Sequence, residues 1–215
     1  MSFNGRLIVG IAGVKRSGKD TIANHLVKKH GFYKRSFAQP LKDVCKCLFG
    51  FSDNQLNGSD KEIPDEKWFG ITPRETLQFV GTDLLRKQMS KLRGNFGEDI
   101  FIHSFRNWYE DEKNITKKLI VVPDVRFQNE VDYIHNQNGF VIKILYNATA
   151  DEVSLLDRIK NFFGLNDEHE SEAQNLDYDL TVNNGFNCTF MDLYSQVDAI
   201  MEQKFKEVEI NEIIN

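Results

Sequence analysis

The chain is short of several things, and each shortage excludes a class of protein. It has only 3 cysteines, Cys45, Cys47 and Cys188, among 215 residues. So sparse and odd a set gives no disulfide framework. Cys45 and Cys47 stand two apart, which on a helix points them to different faces, so buried or half-buried thiols are expected rather than a metal site. Proline, 4 residues, and glycine, 14, are too few and too scattered for a low-complexity chain. Cations are not in excess: the net charge is -5 and the pI about 5.6. Duplex-binding domains usually carry a basic face, so no stable nucleic-acid partner is expected. The apolar run from Leu7 is far too short to span a bilayer, and no membrane partner is expected. Met1-Ser2-Phe3-Asn4-Gly5-Arg6 lacks the pattern of a secretory signal. The Asn-x-Ser/Thr triplets at Asn57, Asn114, Asn147 and Asn187 therefore carry no meaning as glycosylation sites, and the expected location is the cytoplasm.

What is present suits an enzyme-sized α/β domain. Hydrophobic residues make up 40% of the chain and charged residues 27%, enough for one sizeable core. Leu7-Ile8-Val9-Gly10-Ile11-Ala12 is a continuous β-prone run, as in a strand buried on both faces. Ile22, Ala23, Leu26 and Val27 then recur at helical spacing up to His30, with Gly31 as the cap. A short strand is expected over Phe32–Phe37, and a helix from Pro40 to Leu48. The polar stretch Phe51–Ile71 reads as an inserted loop or flap. Thr72 is the N-cap and Pro73 the first position of a helix reaching Met89 or Ser90. A helix over Glu98–Glu112 follows. Leu119–Val122 is a second buried strand, ended by Pro123-Asp124. A helix over Gln128–Asn136, a strand over Phe140–Leu145, a helix over Asp151–Phe163 and a strand over Tyr178–Val182 complete the alternation. The final amphipathic helix carries Phe190, Leu193, Val197, Ile200 and Met201, with fraying expected after Lys206. Strands alternating with helices predict a mainly parallel sheet with helices on both faces.

Between the first strand and helix stands Gly13-Val14-Lys15-Arg16-Ser17-Gly18-Lys19-Asp20-Thr21. Gly13, Gly18 and Lys19 fit the phosphate-loop template G-x-x-x-x-G-K-[S/T]. Glycines let the backbone curl so that several N–H groups point at phosphate oxygens. The helix that starts near Lys19 adds its positive dipole end, and the Lys19 ammonium reaches the β- and γ-phosphates. Asp20 stands where Ser or Thr normally holds Mg²⁺. A carboxylate is also a hard oxygen donor, so Asp20 is a candidate metal ligand, with Thr21 as the alternative.

Ligands of open parallel sheets bind beyond the carboxyl ends of the strands. Asp124 sits there and would lie near Lys19 if the two strands are neighbours, as an acid that holds Mg²⁺ or its waters. Arg126 is a candidate phosphate contact. The plain alternative is that Asp124 caps the next helix and Arg126 is a surface charge. Acceptor candidates lie in two segments: Phe37–Asp43, which carries Lys42, and the helix Arg74–Arg86, which carries Gln78, Thr82 and Asp83. Arg74 can fork onto a phosphate, and Gln78 can donate to and accept from a base edge. Gly81 inside that helix costs about 1 kcal/mol relative to Ala, which points to close packing or ligand approach. Arg158 and Lys160, before the loop Gly164–Glu172, are candidates for a cationic lid. His169 in that acidic loop lacks metal-site spacing.

The motifs G-V-K-R-S-G-K-D-T at Gly13–Thr21, L-Q-F-V-G-T-D in the Arg74–Arg86 helix, V-V-P-D-V-R at Val121–Arg126 and H-E-S-E-A at His169–Ala173 together resemble the deoxynucleoside monophosphate kinases of T-even-type phages and related viruses. The resemblance covers most of the chain, from Leu7 to Gly185. It implies the three-layer P-loop NTPase fold in one domain, 1–215, with an acceptor-binding insertion at 51–113 and a lid at 150–175. It implies transfer of the γ-phosphate of ATP to a dNMP with Mg²⁺. Gly13, Lys15, Arg16, Ser17, Gly18, Lys19, Asp20 and Thr21 would hold the ATP phosphates, and Asn183 in Asn183-Asn184-Gly185 would lie on the adenine side. Lys19, Asp124, Arg126 and Arg158 would be catalytic. Lys42, Arg74, Gln78, Thr82, Asp83, Arg86 and Arg126 would bind the acceptor. A homodimer is the assembly considered. The rival readings are another small-molecule kinase, acting on phosphomevalonate or dephospho-CoA, and a nucleotide-dependent switch or DNA-processing subunit. A switch would show a guanine-reading N-K-x-D, which this sequence lacks.

Overall fold

The computed structural model describes residues 6–146 and 176–214. The expected helix over Asp151–Phe163, the lid at 150–175 with Arg158 and Lys160, and the acidic loop with His169 lie outside the described residues. In chain order the elements are β1 (Leu7–Ala12), α1 (Lys19–His30), β2 (Tyr33–Lys34), α2 (Gln39–Phe49), α3 (Asp53–Asn57), α4 (Pro73–Gln78), α5 (Ile100–Glu110), β3 (Leu119–Val125), α6 (Gln128–Asn136), β4 (Phe140–Leu145), β5 (Leu180–Asn183) and α7 (Phe190–Ile214). They fall into two compact units, Met1–Lys34 with Lys117–Asn215, and Arg35–Thr116. The acceptor-binding insertion expected at 51–113 falls inside the second.

The first unit is built on a parallel sheet of order β2-β3-β1-β4-β5. Leu7, Val9 and Ile11 of the central strand pack with Ile22, Ala23 and Leu26 of α1 and with Leu193, Val197 and Met201 of α7. Gly10 points to the other face, where a Cβ would come 2.7 Å from Ile134 Cδ1 of α6. Helices therefore cover both faces, which gives three layers and explains why β1 reads as an unbroken apolar run. Each fully buried Ile, Val or Leu contributes about 1.5–3 kcal/mol to that core.

Three boundaries differ from the expectation. Strand β2 is only Tyr33–Lys34, because Phe32 and Phe37 turn inward and are buried. Strand β3 does not end before Pro123 but runs through it to Val125. Its pairing with β1 advances from Gly10↔Val122 to Ala12↔Val125, so β3 carries one extra residue there. That bulge accommodates a proline that cannot donate to the ladder. Helix α7 continues past Lys206 to Ile214, and a Lys204–Glu207 ion pair of 2.8 Å spans the turn where fraying was expected.

In the second unit, α2 starts with Pro40 and buries Leu41 and Cys45 while Cys47 faces out. The stretch Phe51–Ile71 is not a loop. Ser52 and Gln55 form a reciprocal capping box at the start of α3. Gln55 donates to Asp65 at 2.9 Å, Trp68 Nε1 donates to the Phe49 carbonyl at 2.9 Å, and Phe51 and Leu56 are buried. Its polar composition hid an arm with its own small core. Thr72 caps α4 as expected, in a box with Glu75 and with Pro73 following. The helix then widens into a π-helix over Phe79–Gln88.

Candidate active site

The phosphate loop leaves the carboxyl end of β1 in a conformation that its glycines permit. Gly18 has φ 98, in the left-handed region, and hands the chain directly to α1. A Cβ on Gly13 would come 2.7 Å from Ser17 Oγ. The Ser17 side chain is fully buried, and its hydroxyl has no hydrogen-bond partner among the described residues. A buried hydroxyl without a partner is uncommon and needs an explanation; here it faces into the loop that a phosphate would fill. Lys19 Nζ donates to the Gly13 and Val14 carbonyls, each at 2.6 Å. The ammonium thus rests across the loop's opening carbonyls, a position in which anionic oxygens would make stronger partners.

The neighbour relation on which Asp124 depends is present. Strands β1 and β3 pair, with Ala12 opposite Val125, so Gly13 and Asp124 leave the same edge of the sheet. Asp124 is half-buried next to the start of α6, which has its own cap. That cap is the buried Glu130, whose Oε2 accepts from the backbone N–H of Arg126 at 2.8 Å and of Phe127 at 3.2 Å. Arg126 is exposed just beyond. The Asp20 side chain is 79% exposed and accepts from Lys34 Nζ at 2.6 Å. An accessible carboxylate at this place fits a hydrated Mg²⁺, which takes oxygen ligands and keeps several waters.

In the second unit, Arg74 is half-buried and pairs with Glu62 at 3.2 Å, and Gln78 and Thr82 are half-buried. Asp83 pairs with Lys87 on its own helix at 3.1 Å. Arg86, expected among the acceptor contacts, is buried. Its Nη1 donates to the Glu98 carbonyl at 2.7 Å, and its guanidinium lies 5.0 Å from the centre of the Phe101 ring. In this arrangement the guanidinium fastens the helix to the segment entering α5. Gly81 is explained by packing: a Cβ there would come 2.7 Å from Leu41 Cδ2. Lys42 is half-buried on α2.

Comparison with known proteins finds relatives of the chain. The family model for deoxynucleotide monophosphate kinase matches residues 6–76. A protein of Acanthamoeba polyphaga mimivirus, described as a deoxynucleotide monophosphate kinase, is 41% identical over 203 residues, covering 91% of this chain and 96% of its own. The chain belongs to the deoxynucleotide monophosphate kinase family. More distant solved structures include a dephospho-CoA kinase from Campylobacter jejuni, 14% identical with a TM-score of 0.45, covering 93% of this chain and 98% of that one. A gluconokinase from Sinorhizobium meliloti 1021 is 12% identical with a TM-score of 0.43, covering 98% and 99%.

Two residues of this kinase matter at the loop that the sequence did not single out. Asn184, rather than Asn183, reaches it: Nδ2 donates to the Ser17 carbonyl at 2.9 Å and lies 3.0 Å from where a Cβ of Gly18 would be. The Asn183 backbone is held instead by Gln196, which accepts from its N–H at 2.8 Å and donates to its carbonyl at 3.0 Å. Only the Asn183-Asn184-Gly185 run at the end of β5 hinted at this loop, and the expectation there fell on Asn183. The second is Lys34, the partner of Asp20, which the shortening of β2 places at a strand end.

Proposed function

We propose that this kinase transfers the γ-phosphate of ATP to a deoxynucleoside monophosphate, with Mg²⁺, giving the diphosphate and ADP. The observation that carries the reading is the loop Gly13–Lys19, with a left-handed Gly18, a buried unpartnered Ser17 hydroxyl and an ammonium drawn across its mouth. The name of the mimivirus relative supports the choice of acceptor.

The acceptor's attacking oxygen is a phosphate oxygen, already anionic at pH 7, so no general base is required. Catalysis is positioning and charge neutralisation. Lys19 exchanges the Gly13 and Val14 carbonyls for phosphate oxygens. Gly13, Lys15, Arg16, Ser17, Gly18 and Asp20 hold the phosphates, helped by the dipole of α1. Asp20 and Asp124 would hold Mg²⁺ directly or through water, with Thr21 as the alternative to Asp20. The ion, when bound, neutralises charge between the β- and γ-phosphates. Arg126 meets a phosphate beyond β3, and Arg158 serves the lid. Lys42, Arg74, Gln78, Thr82 and Asp83 contact the acceptor, with Arg74 exchanging Glu62 for its phosphate. Asn183 and Asn184 border the adenine. The enzyme acts in the cytoplasm, and a homodimer is the assembly to test by light scattering. Among the described residues, no helix is long and apolar enough to cross a membrane.

The test is a coupled ADP-release assay across all NMPs and dNMPs, with phosphomevalonate and dephospho-CoA included. Turnover is expected with one or more dNMPs, and Lys19→Ala should lower kcat by about 100-fold or more while circular dichroism is unchanged. Silence with every nucleotide overturns the assignment, and full activity of Lys19→Ala removes the loop from catalysis.

A further inference from the structure

We propose that His25, His30 and Asp198 form a binding site for one zinc-type dication, clipping the carboxyl-terminal end of α1 to α7. The site is separate from the phosphate loop, since His30 closes α1 about 16 Å along its axis from Lys19. It rests on residues the nucleotide chemistry does not use.

The geometry has the features such an ion needs. His25 Nε2 and His30 Nε2 approach the same carboxylate oxygen, Asp198 Oδ1, at 2.8 Å and 2.7 Å. The three candidate donor atoms all lie within 4.8 Å of one another. The two rings stand 78° apart, so their nitrogens arrive from different directions. Zinc takes imidazole nitrogen and carboxylate oxygen at about 2.0–2.2 Å in a tetrahedron, so neighbouring donors end about 3.4 Å apart. A shift of about 0.7 Å in the Asp198 carboxylate, with small turns of the two rings, makes that room. The side chains of His25 and His30 are each 13% exposed and that of Asp198 is 16%, which leaves an opening for a water as fourth ligand.

The surroundings already do what an outer shell does, which is to orient the ligands. The His25 ring stacks on Tyr194 at 4.1 Å with 4° between planes, and the His30 ring lies 6.1 Å from Phe205. Lys29 Nζ donates to the other carboxylate oxygen, Oδ2, at 2.7 Å, leaving Oδ1 as the single ligating atom. Burial works to raise the Asp198 carboxyl, but hydrogen bonds from Lys29, His30 and His25 outweigh it and hold it down at about 2, so the acid is an anion at any working pH. The Lys29 ammonium opposes a cation, and with a side chain 54% exposed it has solvent to turn into. Two imidazoles and one carboxylate select zinc, cobalt or nickel over Mg²⁺, which prefers oxygen alone.

The competing description is a clamp of hydrogen bonds with no affinity for metal. Co²⁺ titration of the full-length, nucleotide-free chain distinguishes the two. The proposal expects the visible d–d bands of tetrahedral cobalt, saturating at one equivalent, bleached by Zn²⁺ and unchanged by excess Mg²⁺. Zn²⁺ should also raise the Tm, and the His25→Gln/His30→Gln pair should bind at least tenfold more weakly. Absence of both the bands and the Tm rise in the wild-type chain overturns it, whatever the variant does. So does equal binding by the double variant, a thiolate-to-cobalt charge-transfer band that places the ion on cysteine, or displacement by Mg²⁺ that places it on Asp20 and Asp124. Kinase turnover is a separate readout, so a failure here leaves the catalytic assignment standing.

Discussion

The Asn184 side chain joins the loop after β5 to the phosphate loop's own backbone, through the Ser17 carbonyl at 2.9 Å. Removing a hydrogen bond of this kind costs about 0.5–1.5 kcal/mol. Asn184→Ala should therefore raise the KM for ATP about three- to tenfold, with a smaller effect on the acceptor. Steady-state kinetics with each substrate varied in turn checks this, and an unchanged KM for ATP would limit Asn184 to packing. The cysteines give a second prediction at this scale. Burial pushes the Cys45 thiol up to about 11, whereas Cys47 is exposed. The thiolate is the reactive form. Ellman's reagent at pH 7.5 should thus modify Cys47 quickly and Cys45 only when the chain is unfolded; rapid labelling of Cys45, located by peptide mapping, would contradict its burial.

At the scale of elements, the pairing of Gly81 with Leu41 ties the wide helix Phe79–Gln88 to α2. A valine at 81 adds volume against Leu41 and a β-branched side chain within a helix. Gly81→Val should destabilise the chain by about 1–3 kcal/mol, read as a lower urea midpoint. Leu41→Ala in the same molecule should recover part of the loss, since neighbours couple; strict additivity would show that the two do not share the space. The elements also show where reading the sequence stops. Strand β1, the phosphate loop and α1 were legible because their chemistry is local: an apolar run, glycines at fixed offsets, a helical repeat and a capping glycine. The end of β3 was not, because a proline's fate depends on the register against β1, a hundred residues away. The arm Phe51–Ile71 was misread because composition outweighed one capping box. Gly81 was visible as an oddity, but Leu41 as its reason was not. Arg86 was expected among the acceptor contacts from the family resemblance, and its hydrogen bond to the Glu98 carbonyl could not be read from the sequence.

At the scale of the molecule, the sheet-bearing unit is assembled from two stretches of chain, Met1–Lys34 and Lys117–Asn215, with Arg35–Thr116 between them. Strand β1 finds its sheet partners, β3 and β4, only after that intervening unit. Contacts so distant in sequence are slow to form. Pulse-labelled hydrogen exchange during refolding of the whole chain should find amides of α2 and α5 protected before those of β1. Simultaneous protection, or β1 first, would contradict this order.

That interruption also bears on how the protein is made in a cell. When β1 leaves the ribosome, its neighbours have not yet been translated. Leu7-Ile8-Val9-Gly10-Ile11-Ala12 is a short, uncharged, β-prone segment of the kind that pairs with copies of itself. At about 5–20 residues per second, it waits for several seconds before β3 exists. During that interval the exposed segment is an aggregation hazard. Fast translation of residues 35–116 would shorten the exposure, so codon usage across that stretch becomes a lever on yield that no contact in the finished enzyme reveals.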